Sequence, residues 1–232
     1  MSVLSLVLPC HNEQEAIPVV LDKLLRDRPR IIEEAGLTDL EIIVVDDGST
    51  DSSAKMLKKL EPQIRFIRLE KNQGYGRALK TGFSAARGQL LGFYDLDDTC
   101  QPEDLIPMIH TLNDEEAGMV CGNRLNQDTK MPPQRYLGNW LYRSLTRILL
   151  RHEVQDCCTG MRIFSARYRD EFSQTLPDDL NFSLAMTIRF LKGGGTYREV
   201  PIQYHRRLGE SKLSIYTDGP LFLWTLLRYS FQ

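Results

Sequence analysis

Through its first half this chain alternates short, β-branched apolar runs with longer segments of helical period. Residues 2–9, 41–46, 64–69, 89–95 and 117–122 read as strands, and 16–35, 51–60, 77–86 and 102–113 as the helices between them. A strand that needs a helix-length crossover before the next one joins it in parallel, so the pattern predicts an α/β chain: a Rossmann-like domain with a mostly parallel central sheet flanked by helices. Ser49 or Thr50 can cap the second helix, and Pro102 followed by Glu103 and Asp104 suits the first turn of the fourth. With 232 residues, 42% of them hydrophobic, the chain can bury one substantial core but not two ordinary ones.

In such sheets ligands bind at the carboxyl ends of the strands, and the polar clusters of this sequence fall there. PCHNE follows the first strand, VVDDGSTD the second, EKNQGYGRA the third and YDLDD the fourth. Each alone is an ordinary turn or loop. Their coincidence on one edge points to a site. Asp95, Asp97 and Asp98 crowd three carboxylates into four positions; in a partly dry site they repel unless a cation or hydrogen-bond donors compensate. One of Asp95 and Asp98 can instead cap the helix that follows. Oxygen ligands without histidine or cysteine at useful spacing favour Mg²⁺ or Mn²⁺, which completes its shell with water and substrate phosphates. A diphosphate-bearing substrate is the expectation. A net charge of −2 gives no overall basic field for nucleic acid. The five cysteines, adjacent Cys157 and Cys158 included, show no CxxC spacing and read as core residues of a reducing compartment. The first residues lack the basic and long apolar regions of a signal peptide, so a cytoplasmic location is expected.

LPCHNEQE, VVDDGSTD, NQGYGRALKTG and the DLD of 95–97, followed by GNRL, DCCTGMRIF and VPIQYHRRLGESKL, resemble the motifs of family 2 glycosyltransferases of the GT-A fold. The similarity is closest to the polyprenyl- (dolichyl-) phosphate mannose and glucose synthases, and the last segment, with Tyr204, Arg207, Gly209, Ser211 and Lys212 in register, is its most specific part. The resemblance implies a GT-A domain over 1–215, with a nucleotide-sugar half (1–125) and an acceptor half (126–215), then a C-terminal apolar helix over 216–232. It implies that Pro9, Glu13 and Asp47 hold base and ribose, that Gly74 lets the backbone approach the donor, that Asp95 serves the nucleotide side and that Asp97, with Asp95, holds the metal. Arg124, Arg135, Arg207 and Lys212 would bind the donor diphosphate and the acceptor phosphate, a task suited to forked guanidinium donors. The implied reaction is metal-dependent, inverting transfer of a hexosyl group from UDP-glucose or GDP-mannose to a polyprenyl or dolichyl phosphate. An ionised phosphate needs no general base to attack an anomeric carbon, and His11, His110, His152 and His205 are scattered.

Two positions depart from the pattern. Thr99 stands where D-x-D-x-Q members offer a side-chain carbonyl to the metal, and 180–191 carries Ser183, Leu184, Ala185 and Thr187 where many relatives have a glutamate. Arg143, Arg147 and Arg151 make a basic stripe beside Leu145, Ile148 and Leu149, which suits either an anionic membrane surface or a solvated face. The tail GPLFLWTLLRYSFQ is apolar on all sides yet shorter than the ~20 residues of a membrane span. It suits peripheral attachment at the cytosolic membrane face, packing on the domain, or the start of a membrane segment. Three other readings compete: a glycosyltransferase with a soluble acceptor, a non-catalytic nucleotide-sugar binder, and a haloacid-dehalogenase-type phosphatase with Asp95 as nucleophile and Asp97 as acid/base. The last leaves VVDDGSTD and RLGESKL unexplained, and its motif normally closes a first strand.

Overall fold

The computed structural model of the protein describes residues 2–127, 129–212 and 215–231. Leu213, which closes the RLGESKL motif, and Gln232, the end of the expected C-terminal helix, lie outside the described residues. Strands β1 (Val3–Cys10), β2 (Asp39–Asp47), β3 (Arg65–Leu69) and β4 (Leu90–Tyr94) alternate with helices α1 (Ile17–Glu34), α2 (Ser53–Lys59) and α3 (Tyr75–Ala85). A 3₁₀ turn (Pro102–Asp104), α4 (Leu105–Asp114), β5 (Met119–Asn123), α5 (Pro133–Leu150) and β6 (Met161–Ser165) follow. Then come α6 (Arg169–Thr175), α7 (Phe182–Lys192), β7 (Tyr197–Pro201) and α8 (Ile215–Phe231).

The strands form one seven-stranded sheet in the order β3-β2-β1-β4-β6-β5-β7. All are parallel except β6, which runs antiparallel between β4 and β5. Parallel strands are covered on both faces, and their side chains alternate between two cores. Leu4, Leu6 and Leu8 of β1 point toward α1 and α4, joining Val20, Leu21, Leu24 and Met108. Val7, with Ile43, Val45, Leu91 and Phe93, points toward α3 and α7. That second core is aromatic: Phe83 packs edge-on to Phe164 at 5.2 Å and tilted against Phe93 at 6.3 Å and Phe182 at 6.4 Å.

The structure adds β6 and β7 to the five strands that the periodicity identifies. Each lies within or runs into a polar motif, β6 in DCCTGMRIF and β7 at VPIQYHRRLGESKL, which masks its alternation. Helix α3 begins at Tyr75, earlier than expected, because Gly74 takes φ +105° and turns the chain directly into the helix. The expected caps of α2 are corrected. Ser49 and Thr50 bond to Asn12 instead, and the Asp51 carboxylate accepts the Ser53 N–H at 2.9 Å. At the 3₁₀ turn Gln101 and Asp104 cap each other reciprocally, so neither Asp95 nor Asp98 is needed there. Among the described residues no helix is long and apolar enough to cross a membrane.

Phe83 is fully buried at the centre of the aromatic core. Phe83→Ala should cost about 3–5 kcal/mol, read as a lowered urea midpoint with an unchanged slope; a loss below about 1 kcal/mol would show that this core collapses around the cavity.

Candidate active site

The carboxyl ends of β1, β2 and β4 lie side by side because β1 pairs in register with both neighbours, Cys10 opposite Asp46 and Val7 opposite Phe93. Half-buried Pro9 sits near the end of β1, opposite Val45, and the chain then turns through Asn12, whose φ of +53° is tolerated because its side chain bonds the Thr50 N–H at 2.8 Å. That turn sends Glu13 inward. Its side chain is 6% exposed, its N–H donates to Ser53 Oγ at 2.9 Å, and its Oε1 accepts from Lys212 Nζ at 2.6 Å and from Arg207 at 3.4 Å. Oε2 is buried without a partner. Burial pushes the Glu13 carboxyl above its usual range, and Lys212 and Arg207 pull it back.

Asp47, at the end of β2, spends its carboxylate on the backbone. Oδ1 accepts the Gln73 N–H at 2.7 Å and Oδ2 the Gly74 N–H at 2.8 Å, which fixes the NQGYG loop on the strand edge. The close approach that the structure gives to Gly74 is to the Asp178 carbonyl, which a Cβ would meet at 2.4 Å. The Asp47 carbonyl in turn bonds His11 Nδ1 at 2.8 Å.

Asp95, Asp97 and Asp98 separate into three environments. Asp98 leaves the site: at φ +62° it pairs with Lys23 of α1 at 2.7 Å. Asp97 is 4% exposed; its Oδ1 accepts from the Thr99 N–H at 3.0 Å and hydroxyl at 2.6 Å, and its Oδ2 from Arg207 at 2.5 Å. Thr99 therefore orients Asp97. Asp95 accepts from the Tyr75 hydroxyl at 2.7 Å, and its other oxygen lies against bare Cα of Gly160, where a Cβ would come within 1.6 Å. Burial and the neighbouring Asp97 charge raise Asp95 from its ordinary 3.8 to about 7, although the Tyr75 hydroxyl, Arg207 and Arg124 oppose the shift.

The basic residues reach this edge from the second half of the chain. The segment after β7 is stitched to the loop after β4 by His205 N–H to Thr99 O and Leu208 N–H to Asp97 O, both 2.9 Å. That pairing delivers Arg207 to Asp97 and Lys212 to Glu13 and the His11 carbonyl. Arg124, just past β5, is gripped by Asp156, which accepts two hydrogen bonds of 2.8 and 3.1 Å from its guanidinium and one of 3.2 Å from its backbone N–H. Arg135, in the first turn of α5, donates to the Tyr204 hydroxyl at 3.3 Å beside the small apolar cluster of Leu125, Met131 and Tyr204, and among the described residues it forms no ion pair with the site carboxylates.

A family model described as glycosyl transferase family 2 matches residues 5–172. The chain belongs to glycosyltransferase family 2. Within that family it is 30% identical over 219 residues to a dolichyl-phosphate hexose transferase of Haloferax volcanii, covering 93% of this chain and 89% of that protein. It is 30% identical over 179 residues to a dolichyl-phosphate beta-glucosyltransferase of Dictyostelium discoideum, covering 70% of this chain and 54% of that one. Of the low-salt glycan biosynthesis hexosyltransferase Agl6 of Haloferax volcanii it spans 52%, about half, at 28% identity over 97% of this chain. These matches place it in the dolichyl-phosphate glucose/mannose synthase branch. The fold is that of glucosyl-3-phosphoglycerate synthase from Mycobacterium tuberculosis, solved with Mn²⁺, UDP and phosphoglyceric acid, with a TM-score of 0.76 at 21% identity over 99% of this chain and 78% of that one.

Three residues of this family 2 site are not evident as site residues in the sequence, Tyr75, Asp156 and Gly160, and neither is the orienting role of Thr99. Tyr75 and Gly160 sit inside quoted motifs, so the signal was adjacency to Gly74 and to the TGM turn. Asp156 opens DCCTGMRIF, but its link to Arg124, 32 positions away, is purely tertiary.

The raised Asp95 carboxyl makes a signed prediction. Its charge is unfavourable in the folded state, so its contribution is fully present below about pH 4, where Asp95 is protonated in both states, and is lost as pH rises toward about 7. Thermal unfolding in EDTA should find Asp95→Asn more stable than wild type at pH 8, with the difference vanishing at pH 4. An equal difference at both pH values would overturn the assignment.

Proposed function

We propose that this chain transfers a hexosyl group, with inversion, from a nucleoside diphosphate sugar, UDP-glucose or GDP-mannose, to a polyprenyl or dolichyl phosphate. The observation that carries the reading is the meeting of two opposite needs on one strand edge. Asp95 is a buried carboxylate with no cation bonded to it, beside the ion-paired Asp97, while Arg207 and Lys212 are cations held by carboxylates that a phosphate could replace.

The residues fit a divalent cation. Among the described residues no group of three histidine, cysteine or acidic side chains is gathered to hold an ion alone. Two hard carboxylates, one of them raised to about 7 by burial and by the other's charge, are what Mg²⁺ or Mn²⁺ takes when phosphates and water complete its shell. Asp95 and Asp97 would hold it, and it would neutralise charge on the departing diphosphate. Arg207 holds Asp97 at 2.5 Å, and with Asp97 engaged by a cation this guanidinium would be available to a phosphate.

The chain's own groups account for the rest. Pro9, Glu13 and Asp47, at the ends of β1 and β2, line the base and ribose side. Glu13 Oε2, buried and unpartnered, is an acceptor awaiting a donor, and the Asp47-braced loop at Gly74 floors the sugar nucleotide. Arg124, held in one rotamer by Asp156, and Arg135, beside the apolar Met131–Tyr204 cluster, present forked donors to phosphate oxygens. One acceptor phosphate oxygen attacks the anomeric carbon as the bond to the donor diphosphate breaks on the opposite side. The sugar ends joined to phosphate with inverted configuration, and the nucleoside diphosphate leaves. No proton need be removed, so positioning and charge neutralisation supply the catalysis.

A lipid acceptor also gives α5 and α8 a use. The two helices pack together through Tyr142 and Phe222, with the Tyr142 hydroxyl on the Gly219 carbonyl. Their outer faces leave Leu137 63%, Ile148 71%, Trp224 53% and Phe231 78% exposed, together with Trp140, Leu141, Leu223 and Leu227. Arg143, Arg147 and Arg151 border the α5 face, although Glu153 offsets Arg147, and Arg228 stacks on Trp224. Apolar faces edged with arginine suit the surface of an anionic bilayer, and Arg135 lies at the α5 end that carries Leu137 and Trp140.

Transfer from labelled UDP- and GDP-sugars to a short polyprenyl phosphate, with Mg²⁺ or Mn²⁺ against EDTA, tests the reaction. The expected result is a metal-dependent, organic-extractable product that Asp97→Ala abolishes, while Lys212→Ala chiefly raises the KM for acceptor. Product formed only on a water-soluble phosphate would move the assignment to a soluble acceptor, and donor binding without any product would favour a non-catalytic binder. For the lipid-facing helices, sedimentation with phosphatidylglycerol-containing vesicles should fall at least tenfold when Leu137, Trp140, Leu223 and Trp224 are together changed to Ser. Retained binding would rule these faces out.

A further inference from the structure

Asp95 is fixed from three directions, two of them the backbone of Gly160 and one a side chain. Its N–H donates to the Gly160 carbonyl at 3.1 Å, and its carboxylate packs on the Gly160 Cα. From the other side Tyr75, the first residue of α3, donates its hydroxyl to Oδ1 at 2.7 Å. The Tyr75 ring stands edge-on to Phe93 of β4, at 6.5 Å and 83°, so the hydroxyl is aimed by packing and not left to rotate. Ser183, near the start of α7 and 5% exposed, is the neighbouring hydroxyl that eases the upward push burial gives the Tyr75 hydroxyl. This is the helix in which the sequence offers no glutamate. Ser183 offers a hydroxyl there instead.

The arrangement extends to the donor loop. Asp47 holds the Gln73 and Gly74 amides at 2.7 and 2.8 Å, and Gly74 is followed directly by Tyr75. One short path thus runs from the end of β2 through the loop to the carboxylate at the end of β4. We propose that Tyr75 is a positioning residue for Asp95, supported by Ser183, and that this pair sets the carboxylate plane which the site offers to a divalent cation on the donor diphosphate. The inference rests on the donor-and-cation reading of the site given above, and concerns residues that the motif resemblance leaves without a role.

A carboxylate that has lost its orienting donor must give up rotational freedom when it binds a cation, so removing the hydroxyl should weaken the cation and not the nucleotide. The test is Mn²⁺ binding in the presence of UDP, followed by electron paramagnetic resonance, alongside metal-free UDP binding by calorimetry. Tyr75→Phe keeps the ring on Phe93 and should weaken Mn²⁺ about tenfold, equivalent to about 1.4 kcal/mol, with metal-free UDP affinity unchanged. Ser183→Ala should weaken Mn²⁺ by a smaller factor, and the double variant no more than Tyr75→Phe alone, because Ser183 acts through the tyrosine. Additive losses, or a loss of metal-free UDP binding equal to that of Mn²⁺, would reduce Tyr75 to a packing residue and overturn the proposal. Unchanged Mn²⁺ affinity in both single variants would overturn it while leaving the donor reading intact; wild type that binds UDP but no Mn²⁺ would remove the cation reading and the proposal together. Should Tyr75→Phe fail to fold, unchanged Mn²⁺ affinity in Ser183→Ala still counts against the relay.

Discussion

Compensation of buried carboxylate charge is the constraint on which the rest of this site depends. Glu13, Asp47, Asp95 and Asp97 converge because three parallel strands end together, and each would cost several kcal/mol to ionise in a dry site without partners. The chain solves the four cases differently. Asp47 is satisfied by backbone amides, Glu13 by Lys212 and Arg207, Asp97 by Thr99 and Arg207, and Asp95 by little more than a tyrosine hydroxyl. The ordering matches chemistry. The carboxylate that only the backbone satisfies anchors a loop, and the one left most in need of positive charge lies where a cation is expected.

The same logic explains the layout of the second half. Arg207 and Lys212 belong to a segment without regular secondary structure, yet their placement is firm because two backbone hydrogen bonds join it to the loop after β4. Arg207 thereby sits between Glu13 and Asp97, closing the donor edge with the protein's own charge. A phosphate and a divalent cation entering together would exchange these internal ion pairs for external ones at little net cost in charge, which suits a site that must both bind and release.

The antiparallel β6 is the structural device that brings the two halves together. Inserted between β4 and β5, it places Gly160 beside Asp95, and the chain leading into it carries Asp156 to Arg124. Arg162 of β6, fully buried, spends its guanidinium on the Thr159 and Cys157 carbonyls and on the Thr187 hydroxyl of α7, and so ties the turn to the helix behind it. A buried arginine satisfied by carbonyls and a hydroxyl favours one arrangement of this turn, since any other would strand its donors.

Local chemistry is written in local sequence, which is why so much was legible there. The alternation of strands and helices, the polar motif closing each strand and the DLD carboxylates all depend on residues within a few positions of one another, and they carry the parallel sheet and the side on which the site lies. What lay outside that reach depended on pairings across the chain. Nothing near Asp98 reveals that Lys23 removes it from the site, nothing near Gly74 shows that its missing Cβ makes room for Asp178, and nothing near Asp95 shows that Tyr75 and Gly160 clamp it. The sequence by itself determined which side chains could do this chemistry and on which strand ends they stand. Only the tertiary structure decided which carboxylates are satisfied and which still need a cation, because desolvation and charge pairing are set by every neighbour in space, and most of those neighbours are far away in the chain.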